Sequence, residues 1–226
     1  MTRARFSVGI DLGTTNCALA CVALDRDAGS DVVPIPQRES SHVVAEAATL
    51  PSFLYLPDDE EAGAFAGAPT DGERWVIGRL ARTRSAERPE RVAHSAKSWL
   101  CHHAVDRSAP ILPWGSGDIA RENKLSPVGA SALILQHLRA AWNERFAPAG
   151  ADFAFDNQIV TITVPASFDA VAQRLTLAAA AEAGFPETVR LLEEPQAAFY
   201  RWLEHAGAAR ARFDQRPSAG LALLFR

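Results

Sequence analysis

Residues 8–16 read VGIDLGTTN, a segment that constrains the fold more than any other in the chain. Phe6, Val8, Ile10 and Leu12 recur at every second position, which predicts a strand with one face buried. A second apolar run, Ala18 to Leu24, comes directly after it, so the chain must reverse between them. Gly13 removes the steric limit on that turn, and backbone N–H groups and the hydroxyls of Thr14 and Thr15 can then converge on an anion. Asp11, at the end of the first strand, stands where a metal accompanying such an anion would be met. Asp, Gly and Thr also serve ordinary hairpin turns, so the weight of this segment depends on the motifs elsewhere in the chain.

The first forty residues read as a meander: a strand to Leu12, a strand to Leu24, a DRDAGSD turn, and VVPIP as a third strand whose prolines suit a sheet edge. Pro51 to Leu56 and Trp75 to Ile77 read as short strands, and DDEE at 58–61 as a solvated acidic hairpin tip or insertion. Arg82, Arg84, Arg88 and Arg91, interleaved with Glu87 and Glu90, read as an exposed helical face whose acidic partners cancel its field.

Ser126-Pro127 is a helix start, Ser as N-cap and Pro at the first helical position. Val128, Ala132, Leu135, Leu138, Trp142 and Phe146 then mark one buried stripe. Gln158 to Val164 predicts a core strand that Pro165 ends. Asp169 caps the next helix, and Gly184 with Phe185 closes it. Val189 to Leu192 predicts a strand, and Pro195 opens a last helix with Phe199, Trp202 and Leu203 on its inner face.

At 226 residues the chain can bury a sizeable core in one domain or two small ones, and its 48% apolar and 22% charged residues are ordinary for a globular protein. A net charge of -4 argues against a nucleic-acid surface. Asp11 interrupts the N-terminal apolar run too early for a secretion signal, and no run approaches the ~18 apolar residues of a membrane span. Neither nucleic acid nor membrane is an expected partner, and the cytoplasm is the expected location. Cys17, Cys21 and Cys101 are odd in number, and the first two read as free thiols buried on a strand; Cys101 with His102 and His103 lacks a second cluster that would complete a metal site.

VGIDLGTTN, Lys97 within HSAKSWL, ITVPASFDAVAQRLTLAAAAEAGF and LLEEPQAAFY stand in the order found in the seventy-kilodalton heat-shock (DnaK-type) chaperones. The chain resembles the nucleotide domain of that family, a branch of the actin and sugar-kinase superfamily, most strongly over residues 6–22, 126–147 and 158–203. The resemblance implies an α/β fold, a ribonuclease-H-like lobe built from residues 1–40 and 125–226 around a mixed sheet, with 41–124 as an inserted smaller α+β subdomain.

It also implies ATP and magnesium as ligands. Gly13, Thr14 and Thr15 would hold the β- and γ-phosphates, and Asp11 would hold magnesium through water. Asn16 would join them or serve the turn alone. Lys97 would stabilise the γ-phosphate and the attacking water, and Glu194 would order that water or the metal shell. Taken alone, Lys97 could equally be a surface lysine, and Glu194 an acidic residue favoured by the helix dipole. Pro165 and Arg174 resemble a switch that reports the nucleotide state to a neighbouring domain, although the segment between them is one residue longer than the family's usual spacing.

No D-x-G-G-G-T sequence, the family's second phosphate turn, occurs after LLEEPQAAFY. The expectation is therefore a truncated ATP-binding chaperone lobe, inactive alone, that meets a second lobe or a peptide-binding domain in trans. Ser218 to Phe225 could begin a further strand or expose an apolar terminus. A carbohydrate or acetate kinase of the same superfamily and a non-catalytic interaction module are the rival expectations.

Overall fold

A computed structural model describes residues 3–26, 29–63, 65 and 74–205. The first half of the chain comprises β1 (Phe6–Asp11), β2 (Asn16–Ala23), β3 (Asp31–Val32), β4 (Ile35–Arg38), β5 (Val44–Ala47), β6 (Leu50–Pro51), β7 (Phe53–Tyr55), α1 (Asp59–Ala62), β8 (Val76–Ile77), α2 (Arg79–Glu87), β9 (Val92–His94) and α3 (Ala96–Leu100). The second half comprises α4 (Pro127–Phe146), β10 (Ile159–Val164), α5 (Ala170–Glu182), β11 (Arg190–Glu193) and α6 (Glu194–His205).

The main sheet is mixed and runs β11-β10-β1-β2-β3, with β6 also on β2. β1 and β10 are parallel, as are β10 and β11, whereas β2 is antiparallel to β1, β3 and β6. Val8, Ile10, Val160 and Ile162 are fully buried, as expected of parallel strands covered on both faces. Gln158, also buried, fixes how β1 enters the sheet. Its side-chain oxygen accepts from the backbone N–H groups of Arg5 and Phe6 at 3.0 and 2.9 Å, and its nitrogen donates to Asp152 O and Ala154 O. The N-terminal edge of the sheet is thus satisfied without water.

Helix α4 begins as the sequence dictates, the Ser126 hydroxyl accepting from Gly129 N at 2.9 Å. Its stripe is buried, with Trp142 at the centre: the ring meets Phe6 edge-on at 5.4 Å and its Nε1 donates to Phe153 O at 2.9 Å. Burying such a side chain stabilises the lobe by about 1.5–3 kcal/mol. Asp169 caps α5 by accepting from Ala172 N at 2.7 Å. That helix ends at Gly184, whose φ of 74° lets Phe185 N reach Ala180 O and Gly184 N reach Ala181 O, each at 3.0 Å.

Four expectations are corrected. VVPIP does not form one strand: β3 extends the main sheet, Pro34 interrupts, and β4 pairs instead with β5. The acidic run at 58–61 is no hairpin tip but a short helix, Asp58 capping α1 by accepting from Glu61 N while Asp59 and Glu60 stay exposed to solvent. Nor are the arginines simply an exposed face. Arg88 pairs with Asp58, Arg84 reaches Glu61 at 2.8 Å, and Arg91 donates to the carbonyls of Leu56 and Pro57. This network ties α1 and α2 to the three-stranded sheet β8-β7-β9, over a small core of Tyr55, Phe65, Val76, Leu80 and Val92. Finally, α6 turns Ala197 inward, while Phe199 and Trp202 are 55% and 59% exposed. The small side chain lets the helix backbone approach the sheet, and the bulky residues are left outside. The Ser218–Phe225 segment lies outside the described residues.

Candidate functional site

β1, β10 and β11 finish together. In register Asp11 lies beside Thr163, and Val164 beside Glu193, so Pro165 and Glu194 follow side by side and Asp11 stands two residues short of them, all three at the carboxyl ends of parallel strands. In open α/β sheets ligands are met at such an edge. The turn from β1 to β2 closes over it. A Cβ at Gly13 would lie 2.0 Å from the Asn16 carbonyl oxygen, so only glycine fits this bend. Ser52 holds the turn from behind, its hydroxyl donating to Gly13 O at 2.7 Å and its N–H to Thr15 O at 2.9 Å.

From the other side, β9 delivers α3. Ser95 joins them with φ 57°, a left-handed conformation uncommon outside glycine, and turns the helix so that Lys97 is buried, 7% exposed. Its Nζ forms an ion pair with Glu194 Oε1. The surface reading of Lys97 is thereby excluded. Asp11 is held by Thr163, whose Oγ1 donates to Oδ1 at 3.2 Å. Burial pushes the Asp11 carboxyl above its ordinary pKa, and the nearby Lys97 charge and the Thr163 hydrogen bond offset part of that rise.

The structure thus brings Asp11, Gly13, Thr14, Lys97 and Glu194 to one edge, with Pro165 beside them. Thr14 and Thr15 are exposed, and Asn16 starts β2, where it pairs with Pro51. Arg174 is exposed on α5 and shares no hydrogen bond or ion pair with this cluster among the described residues. Cys17 and Cys21 are buried free thiols, each with its pKa raised to about 11 by burial.

Sequence reasoning missed Ser52, Thr163 and Ser98. Thr163 carried a partial signal, being one of two threonines in a core strand that is apolar elsewhere; nothing in the sequence ties Ser52 to a turn thirty-nine residues earlier. Among the described residues no three His, Cys, Asp or Glu side chains gather to hold a metal. What the site offers a hard cation is Asp11 with Glu194 nearby. That set suits magnesium, which keeps several waters and takes one or two carboxylates together with phosphate oxygens.

A parallel three-strand edge bearing carboxylates, a glycine turn over it and antiparallel strands outside have the architecture of a lobe of the actin-like ATPase fold. The profile of the Hsp70 protein family matches residues 7–200, and the chain belongs to that family. The Chaperone protein HscA homolog of Histophilus somni (strain 2336) is 31% identical over 199 residues, covering 86% of this chain and 28% of the relative. That of Actinobacillus pleuropneumoniae serotype 5b (strain L20) is 34% identical over 199 residues, and that of Shewanella baltica (strain OS155 / ATCC BAA-1091) 30% over 205, with the same shares of each chain. The chain therefore spans 28% of the length of these relatives. No helix among the described residues is long and apolar enough to cross a membrane.

Proposed function

We propose that this lobe binds ATP with magnesium at the β1–β2 turn, as the phosphate-gripping part of a folding chaperone's ATPase. The observation that carries the reading is the convergence of Lys97 and Glu194, ninety-seven residues apart in sequence, on the edge that Asp11 and Gly13 form. In this reading the N–H groups and hydroxyls of residues 13–15 bind the β- and γ-phosphates. Asn16 either adds to them or serves the turn. Asp11 holds magnesium through water, and the cation neutralises charge on the phosphates when bound. Lys97 exchanges part of its contact with Glu194 for the γ-phosphate. Glu194, still a third accessible to water, then orients the attacking water. Pro165 and Arg174 transmit the nucleotide state outward from the end of β10. Residues 41–124 serve as an inserted subdomain that carries α3 to the site, against a core of 1–40 and 125–226. The location proposed is cytoplasmic.

The 226-residue polypeptide carries one glycine phosphate turn, so its affinity for nucleotide is expected to be weak until a second lobe, in cis or in trans, faces it. Each charge-assisted hydrogen bond supplied from that side would add roughly 1.5–3 kcal/mol. Calorimetry with Mg-ATP tests this. Saturable binding with Kd in the range of about 0.1–1 mM is expected, weakened about tenfold by Lys97→Ala, the loss of one such contact. No saturable binding, or parental affinity in Lys97→Ala, would overturn the assignment.

A further inference from the structure

Lys97 and Ser98 are neighbours on α3, and a helix turns about 100° per residue, so the two side chains leave it in different directions. Lys97 points inward to Glu194, whereas Ser98 is exposed and lies against the phosphate turn. Its Oγ lies 3.5 Å from Thr14 Oγ1. Hydroxyl pairs that bond to each other sit at about 2.5–3.0 Å, so these two are not committed to one another. Each hydroxyl can rotate its proton toward an acceptor placed between them.

We infer that Ser98 is a phosphate-binding residue, acting with Thr14 as a pair of hydroxyl donors for the outermost phosphate of a nucleoside triphosphate. The assignment rests on the ATP-binding reading above and deepens it. α3 thus carries two different donors on two sides: a buried cation from Lys97, held by Glu194, and a neutral, rotatable hydroxyl from Ser98 beside the turn. Thr14 supplies the second hydroxyl, next to that of Ser98. A diphosphate, which lacks the group nearest α3, does not engage Ser98.

The test is calorimetric titration of the full 226-residue chain with Mg-ATP and, separately, Mg-ADP, in the parent, Ser98→Ala and Ser98→Thr. Ser98→Ala is expected to weaken Mg-ATP by about tenfold or more, the worth of one hydrogen bond to a charged group, and to leave Mg-ADP within about twofold. Ser98→Thr, which keeps the hydroxyl, restores Mg-ATP affinity. Parental Mg-ATP affinity in Ser98→Ala, or equal weakening of both nucleotides, overturns the role of Ser98 while leaving the lobe's ATP binding intact. A parent that binds neither nucleotide overturns the ATP-binding reading itself, and the Ser98 assignment with it.

Discussion

Asp11 places a charge where folding alone would not. Its carboxylate is half-buried at the end of a core strand, and burial raises its pKa more than Lys97 and the Thr163 hydrogen bond lower it. A raised folded-state pKa means that the ionised form costs stability at neutral pH, whereas below the unfolded pKa the group is protonated in both states and costs nothing. Asp11→Asn keeps an acceptor for Thr163 and removes the charge. Its melting temperature at about pH 7 is therefore expected to exceed that of the parent, with the gap closing as pH falls through the raised pKa toward the ordinary carboxylate value. Thermal melts of both proteins between about pH 7 and pH 3 check this; a gap that stays constant, or a less stable Asn variant at neutral pH, would contradict it. In the proposed reading the same substitution also removes the anchor of the magnesium, so stability and nucleotide binding should move in opposite directions. At this scale the sequence was most legible where residues are contiguous: Asp11, Gly13 and Thr14 declare themselves in one motif. Ser52 and Ser98 did not, because their contacts to the turn cross the chain and a lone serine has no pattern.

Among the elements, α6 separates what periodicity can reveal from what packing decides. Phe199, Trp202 and Leu203 share a helical face and predict an inner stripe, yet the helix buries Ala197 and leaves both large rings exposed. Phe199 and Trp202 lie ring to ring at 6.0 Å on the outside. Ala197→Leu is expected to destabilise the chain by about 1–3 kcal/mol, since a fully buried small residue leaves no space for a larger one. Phe199→Ser should change stability by no more than about 0.5 kcal/mol. Denaturant unfolding of the two variants measures both, and the reverse ranking would mean that the helix packs on its aromatic face. By contrast α4 and α5 were legible to their ends, because Ser126, Asp169 and Gly184 announce caps whose hydrogen bonds are local. VVPIP was not, since Pro34 breaks a run that β propensity alone would continue, and the partner of β4 lies in a segment without strong alternation.

At the scale of the molecule, chain order carried the fold. Antiparallel β1 and β2 followed by parallel β10 and β11 specify a mixed sheet, and its register brings Asp11, Pro165 and Glu194 to the same carboxyl edge before any side-chain contact is considered. Lys97 arrives at that edge only through the small sheet β8-β7-β9 and the left-handed Ser95, a path no local pattern discloses. The acidic and basic runs, read as solvated faces, also pair with each other, Asp58 and Glu61 with Arg88 and Arg84, and so join α1 to α2. If this convergence is a nucleotide phosphate site, nucleotide must protect its backbone. Hydrogen exchange of the 226-residue chain with and without millimolar Mg-ATP measures that most directly. Slowed exchange is expected at residues 12–16 and 95–98 and at the start of α6, with the amides of the acidic α1 segment unchanged. Unaltered exchange across the β1–β2 turn at saturating nucleotide, or protection confined to other surfaces, would contradict it.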